Sequence, residues 1–306
     1  MDQRIHEDFK PLTHITLPIH PLSLAATRRS LHLHGTTVRP LKGMSMVTRR
    51  IVSYDGNLIS VRVFSPSSKE DQMPCLVYFH GGGFLIPAAP YHWKLANLYA
   101  LKTPCKVVFV DYRLAPQYPF PTGLMDCYSA LQWVDKNAVL LGIDRNRIAI
   151  GGDSAGGNLA AAVALMARDR GGVSPCFQML IYPVTDRRMQ TASMQEFSNT
   201  PMWNSTLNRR MWELYLPTAP ELPDYASPME APSLEGLPPA YLETAEIDCL
   251  RDEGIAYAEV LQQAGVSVTL HQTKGTVHGI DLMLHSPIVK VCIEERVKAL
   301  RNAFSQ

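Results

Sequence analysis

No run of apolar residues in this chain approaches the roughly 18 to 20 that a membrane-spanning helix needs. The opening residues Met1-Asp2-Gln3-Arg4 are not followed by the apolar segment of a secretory signal. Charge of one sign is also missing. Lys and Arg number 29 against 28 Asp and Glu, a net charge of +1, so no bulk field attracts nucleic acid, anionic lipid or an acidic polymer. Arg28-Arg29 and Arg49-Arg50 read as ordinary solvated pairs. Cysteine is sparse: six are scattered along the chain and none forms Cys-x-x-Cys, which argues against a disulfide framework or a zinc site. Cys75, Cys105 and Cys176 lie in or beside apolar runs and read as small buried thiols. These absences lead to the expectation of a soluble, cytoplasmic globular protein with no nucleic-acid or membrane partner.

The chain does carry enough apolar sequence, 46% of 306 residues, for a large buried core. Residues 1 to about 45 are rich in Pro, His and Leu and show no sustained period. Short runs rich in β-branched and aromatic residues follow, at 58–64, 75–79, 106–110, 147–150, 178–182, 240–244 and 267–271. They read as strands buried on both faces. Amphipathic stripes separate them: Leu124, Cys127, Tyr128, Leu131 and Val134, then Tyr257, Val260, Leu261 and Ala264, and last Val289, Ile293, Val297 and Leu300. Strands alternating with such helices predict an α/β fold, a mostly parallel sheet covered on both faces. Its site should lie beyond the carboxyl ends of the strands. Residues 187–235 break the alternation with a Met- and aromatic-rich stretch, Met189 to Tyr215, ending in prolines. This stretch and residues 1–45 are expected to form a small helical cap on one domain spanning 1–306, with Met and Trp as an adaptable apolar wall.

Gly152-Asp153-Ser154-Ala155-Gly156 matches Gly-x-Ser-x-Gly, a pattern that chance supplies in about one chain of this length in ten. Context makes it specific. The strand-like run 147–150 precedes it and an Ala-rich helical stretch, Asn158 to Ala167, follows. Ser154 therefore sits on a strand-to-helix turn whose small neighbours permit a strained backbone that presents Oγ. Gly-x-Gly-x-x-Gly and Gly-Lys-Ser/Thr are both missing, so a phosphate-binding turn is not the reading. Upstream, His80-Gly81-Gly82-Gly83-Phe84 follows the strand at 75–79. Acyl transfer generates an oxyanion that needs backbone N–H donors, and consecutive glycines leave the amides unshielded. The expected donors are Gly82 and Gly83, with Gly81, and Ala155. His80 is expected to brace this loop.

A serine nucleophile needs a neutral imidazole to take its proton and a carboxylate to orient that imidazole. In the α/β-hydrolase fold, to which this serine turn points, the chain order is Ser, acid, His. Three histidines lie late enough, His271, His278 and His285. His271 falls inside the last strand and His285 precedes Ser286-Pro287 at a helix boundary, whereas His278 sits in Gly275-Thr276-Val277-His278-Gly279, a loop just past that strand. His278 is the choice. Asp248, a few residues past the run 240–244, is the first choice of acid, with Asp252, Glu253, Glu243 and Glu246 as alternatives.

Taken with Asp111-Tyr112-Arg113-Leu114-Ala115-Pro116 and Asp248-Cys249-Leu250-Arg251-Asp252-Glu253-Gly254, the two glycine motifs resemble the hormone-sensitive-lipase-like (bacterial type IV) carboxylesterases of the α/β-hydrolase superfamily. The resemblance runs from about residue 50 to the C-terminus. It implies an eight-stranded sheet, a cap from the N-terminus and a later insertion, and a triad on Ser154, Asp248 and His278. It also implies cofactor-free hydrolysis of short-chain acyl esters, acetylated small molecules or sugars among them, often by a dimer. This chain departs from the pattern at Gly279-Ile280, where many relatives have Gly-Phe, and at the stiff Pro87-Ala88-Ala89-Pro90-Tyr91. Its N-terminal cap portion is also short. These departures bear on acyl preference and access. An amidase or lactonase would use the same triad. A binding-only receptor on this scaffold should have lost a triad residue, and none is lost. A metal-dependent hydrolase is raised only by His32-Leu33-His34, with no further ligand cluster.

Overall fold

The computed structural model describes residues 2–15, 17, 19–35, 38–67, 71–219 and 221–305. The strands are β1 (Met44–Val52), β2 (Leu58–Pro66), β3 (Met73–Phe79), β4 (Lys106–Asp111), β5 (Ile143–Asp153), β6 (Phe177–Ile181), β7 (Ala240–Thr244) and β8 (Val268–Gln272). The helices are α1 (Pro21–Gly35), α2 (Pro90–Lys102), α3 (Thr122–Lys136), one-turn α4 (Ala138–Leu141), α5 (Ala155–Arg170), α6 (Ala192–Glu196), α7 (Ser205–Tyr215), α8 (Pro223–Ala226), α9 (Arg251–Gln263) and α10 (Pro287–Phe304).

All eight strands join one sheet in the order β1-β2-β4-β3-β5-β6-β7-β8. β1 and β2 run antiparallel, as do β2 and β4; every other pairing is parallel. The expected mostly parallel α/β sheet is present. β3 is buried along its whole length and β6 and β7 likewise, as apolar runs without alternation require in a covered parallel sheet. β1 was not anticipated. Its Thr48-Arg49-Arg50 centre is exposed and only Ile51 is buried, so it has the polar face of an edge strand and no buried-strand signature. α1 and α2 were also unforeseen, because neither shows a clear amphipathic stripe in the sequence.

α3 and α5 pack on each other on one face of the sheet. α2 and α10 cover the other, joined where Arg296 donates to the Tyr99 hydroxyl. α5 is buried from Ala155 through Ala167; its alanines, including those at 160, 161, 162 and 164, let it lie close between the sheet and its neighbours. Local signals fix the ends. The Asn204 side chain accepts from the Leu207 amide at 3.0 Å to start α7, and Ser286 accepts from the Ile288 amide ahead of α10 at 3.2 Å. Beyond the carboxyl ends of the strands, the N-terminal segment meets residues 187–235, with the Met202 amide donating to the Ile15 carbonyl at 3.4 Å. No helix among the described residues is long and apolar enough to cross a membrane. All six cysteines are free thiols, five of them buried.

Candidate active site

Ser154 stands between the end of β5 and the start of α5, at φ +56° and ψ −119°. A non-glycine residue in that region is strained, and its surroundings hold it there. The Ser154 amide donates to the Ile181 carbonyl at 2.8 Å, and its own carbonyl accepts from the Val184 amide at 3.2 Å. The turn needs glycine at 156, where an added Cβ would strike the Phe79 and His80 carbonyls. The Ala155 amide opens α5 and so lacks an intrahelical acceptor.

His278 comes to Ser154 from the loop after β8. Ser154 Oγ lies 2.9 Å from His278 Nε2, and His278 Nδ1 lies 2.7 Å from Asp248 Oδ2. Asp248 has no exposed surface, and its other oxygen accepts the Leu250 amide at 3.0 Å. With Nδ1–H donating to that carboxylate, Nε2 is left as the acceptor for the serine hydroxyl. The other acids weighed are committed elsewhere. Glu243 is held by Arg296, Glu246 accepts the Gly275 amide at 2.7 Å, and Asp252 accepts the Ser193 amide at 2.7 Å. Glu253 accepts the Thr185 and Asp186 amides at 2.7 and 3.3 Å. His271 lies 2.9 Å from the Tyr241 hydroxyl and His285 is exposed.

The glycine loop is built around a buried carboxylate. Asp153 Oδ1 accepts from the Tyr78 hydroxyl at 2.8 Å and from the Gly81 amide at 3.1 Å. His92 Nδ1 accepts the Ala89 amide at 2.9 Å, which puts its proton on Nε2, 3.2 Å from Asp153 Oδ2. Burial pushes the Asp153 carboxyl up, but His92 and the Tyr78 hydroxyl outweigh it and hold it at about 2. This geometry corrects one expectation: Gly81 is not a free donor, because its amide is spent on Asp153. Gly82 and Gly83 have no protein acceptor for theirs among the described residues. Gly82 needs to be glycine, since at φ +118° a side chain would collide with the Ile86 carbonyl. His80 braces the loop as expected. Its ring stacks 4.4 Å from Tyr112, its Nδ1 donates to the Gly81 carbonyl at 2.7 Å, and burial, then His92, pushes its pKa down to about 3.

A cavity of about 230 Å³ opens over Ser154 and His278. Its walls are apolar: Ile15 and Leu31 from the N-terminal segment, Ile86 and Pro87 after the glycine loop, and Met202 and Trp203 from the insertion. The stiff Pro87–Tyr91 segment is thus part of the pocket wall. Tyr182 and Asp153 also line this space, and neither was singled out from the sequence. Tyr182 sits at the end of a buried strand, where an aromatic reads as core. Elsewhere, Glu243, His271 and Cys292 place ligand atoms within 4.8 Å of one another, but Arg296 and the Tyr241 hydroxyl already occupy the Glu243 carboxylate. The His32 and His34 side chains lie outside the described residues.

A family model described as alpha/beta hydrolase fold matches residues 76–282. The chain belongs to that family. It is 40% identical over 265 residues to carboxylesterase NlhH of Mycobacterium tuberculosis, covering 84% of this chain and 83% of that protein. It is 33% identical over 285 residues to an ethyl acetate hydrolase of Pseudomonas putida, covering 90% and 87%. Among solved structures, a bacterial heroin esterase superposes with a TM-score of 0.89 at 35% identity over 98% of each chain. The resemblance to the hormone-sensitive-lipase-like esterases, and the enzyme class it implies, are borne out by these relatives.

Proposed function

We propose that this α/β-hydrolase family member is a carboxylesterase that cleaves short-chain acyl esters through Ser154, His278 and Asp248. The observation that carries the reading is the unbroken hydrogen-bond chain from Ser154 Oγ through both ring nitrogens of His278 to a fully buried carboxylate. Ser154 Oγ attacks the ester carbonyl as Nε2 takes its proton, and Asp248 stabilises the imidazolium that forms. The carbonyl oxygen, now an anion, is met by the Gly82, Gly83 and Ala155 amides; one such donor is worth about 3 to 4 kcal/mol in comparable sites. The imidazolium returns its proton to the leaving alcohol. Water then attacks the acyl-enzyme with His278 as base, releasing the acid.

The pocket supports a small, uncharged substrate. Its walls are mostly apolar, and the buried Asp153 carboxylate has its oxygens engaged by Tyr78, Gly81 and His92. The N-terminal segment and residues 187–235 act as a cap that excludes water from the acyl chain. The test is nitrophenyl ester hydrolysis from acetate upward, run on the wild type and on Ser154→Ala. The wild type should favour the shorter acyl chains, and the variant should lose turnover on all of them. Sustained turnover by Ser154→Ala would sink the assignment.

A further inference from the structure

We propose that Tyr182 is a positioning residue for His278, locked in place by a buried ion cluster that reaches it from the C-terminal helix. The proposal rests on the triad reading above.

Arg296 lies in α10 with no exposed surface. Its Nε and one terminal nitrogen donate to the two oxygens of Glu243, at 3.0 and 2.5 Å. Its other terminal nitrogen donates to Asp281 Oδ1 at 2.8 Å and to the Tyr99 hydroxyl at 3.1 Å. Glu243 and Asp281 are equally buried. One guanidinium thus faces two carboxylates. Further partners surround the carboxylates: Tyr241 donates to Glu243 at 2.9 Å, His271 Nδ1 lies 3.6 Å from the same carboxylate, and Tyr182 donates to Asp281 at 2.6 Å. Apolar residues of similar volume would often be as stable as a buried ion cluster, so stability alone does not account for this one.

Its position does. Asp281 is three residues beyond His278 in the same loop. Tyr182 directly follows β6, in the positive-φ region at +34°, and its amide donates to the Glu243 carbonyl at 2.7 Å. Both the backbone and the hydroxyl of Tyr182 are therefore tied to members of one cluster. Its ring meets the His278 imidazole at 4.8 Å, inclined by 63°, and the preceding residue, Ile181, accepts the Ser154 amide. Tyr182 thus touches one partner of the Ser154–His278 hydrogen bond and is bonded through its neighbour to the other. Among the described residues, the imidazole's polar ties are to Asp248 and Ser154. Tyr182 blocks the motion those two bonds leave free.

The hydroxyl points to Asp281, so Tyr182→Phe keeps the ring at the pocket wall and removes only its anchor. The expected result is a kcat lower by on the order of tenfold to a hundredfold, the scale on which small misplacement slows chemistry. KM should stay within about twofold, since the pocket surface is unchanged. Asp281→Ala should match it. Asp281→Asn should recover most of the activity, because its amide can accept from Arg296 and donate to the Tyr182 oxygen. The Tyr182→Phe, Asp281→Ala double variant should be no slower than either single one. Should Asp281→Ala fail to fold, Tyr182→Phe and Asp281→Asn still decide the matter. A normal kcat in folded Tyr182→Phe overturns the proposal, as does a loss confined to KM. If Ser154→Ala is inactive while Tyr182→Phe is normal, only the positioning role falls; if Ser154→Ala turns over, the triad reading falls first.

Discussion

Replacing Asp248 by Asn changes one atom and forces a conflict whose size can be worked out from its neighbours. Asp248, which has no exposed surface, accepts two hydrogen bonds, one from His278 Nδ1 at 2.7 Å and one from the Leu250 amide at 3.0 Å. A carboxylate can accept both; an asparagine has one acceptor oxygen. If that oxygen faces Leu250, the NH₂ group faces Nδ1, and the imidazole must move its proton to Nε2. It then cannot take the Ser154 proton. If the oxygen faces Nδ1, the NH₂ group opposes the Leu250 N–H, a buried donor clash of about 1 to 3 kcal/mol. The wrong tautomer is favoured by that amount, roughly five- to a hundredfold in population. The variant also loses the negative charge that stabilises the imidazolium in the transition state. Together these should lower kcat by on the order of 10³ to 10⁴, with little change in folding because shape is kept. The assay is steady-state hydrolysis of nitrophenyl acetate, with a thermal melt to establish that the variant is folded. A folded Asp248→Asn enzyme within tenfold of wild type (about 1.4 kcal/mol) would refute the reasoning.

Glu253, a rival acid by sequence, should tolerate replacement by Gln with activity within a few-fold of wild type. Burial, opposed only in part by the Thr185 and Asp186 amides, raises its carboxyl well above the ordinary range, so it is protonated in the folded enzyme over the lower part of the titration. A carboxyl raised on folding stabilises least at high pH, since the unfolded chain releases its proton first. Relative to Glu253→Gln, the wild type should therefore lose stability from about pH 5 upward, by up to about 1.4 kcal/mol per pH unit; parallel denaturant curves across that range would exclude this. Leu31→Ala should move the acyl preference toward longer chains, read as the ratio of kcat/KM for hexanoate over acetate. Leu31 and Pro87 line both the active-site cavity and a second cavity of about 500 Å³ beside it. An unchanged ratio would mean that the two spaces are not separated there.

The interior of the sheet was legible because burial on both faces leaves a composition that no other element shares. β3, β5, β6 and β7 are therefore found within a few residues of where apolar runs predict them. β1 was missed for the converse reason. It pairs on one side only, exposes Arg49 and Arg50, and buries little. α1 and α2 escaped because residues such as His92, Trp93 and Asn97 are buried through contacts that no helical period announces. Asn97, for example, is fixed by donating to the Trp93 carbonyl at 2.8 Å and accepting the Leu41 amide at 3.0 Å. Those partners come from a distant turn as well as from the helix itself.

The same division runs through the active site and explains which parts of it a reader of the sequence can find. Ser154 and the glycine loop are local devices. Each depends on small residues next to the working atom, so the motif and the geometry coincide in a few positions. The Gly81 amide shows the limit of that correspondence, because what removes it from the donor set is Asp153, 72 residues away. Tyr182, Asp281 and Arg296 lie further still from any local rule, spread over three elements and joined only in space. One trace does survive in the sequence. Arg296 interrupts the apolar stripe of α10 between Ile293 and Leu300, on the face that is buried. A charge on the inward face of a helix must be paired, and its partners must come from whatever that face covers. Here that face meets β5, β6 and the turn after His278, and the buried arginine finds its carboxylates in Glu243 of β7 and in Asp281, three residues past His278.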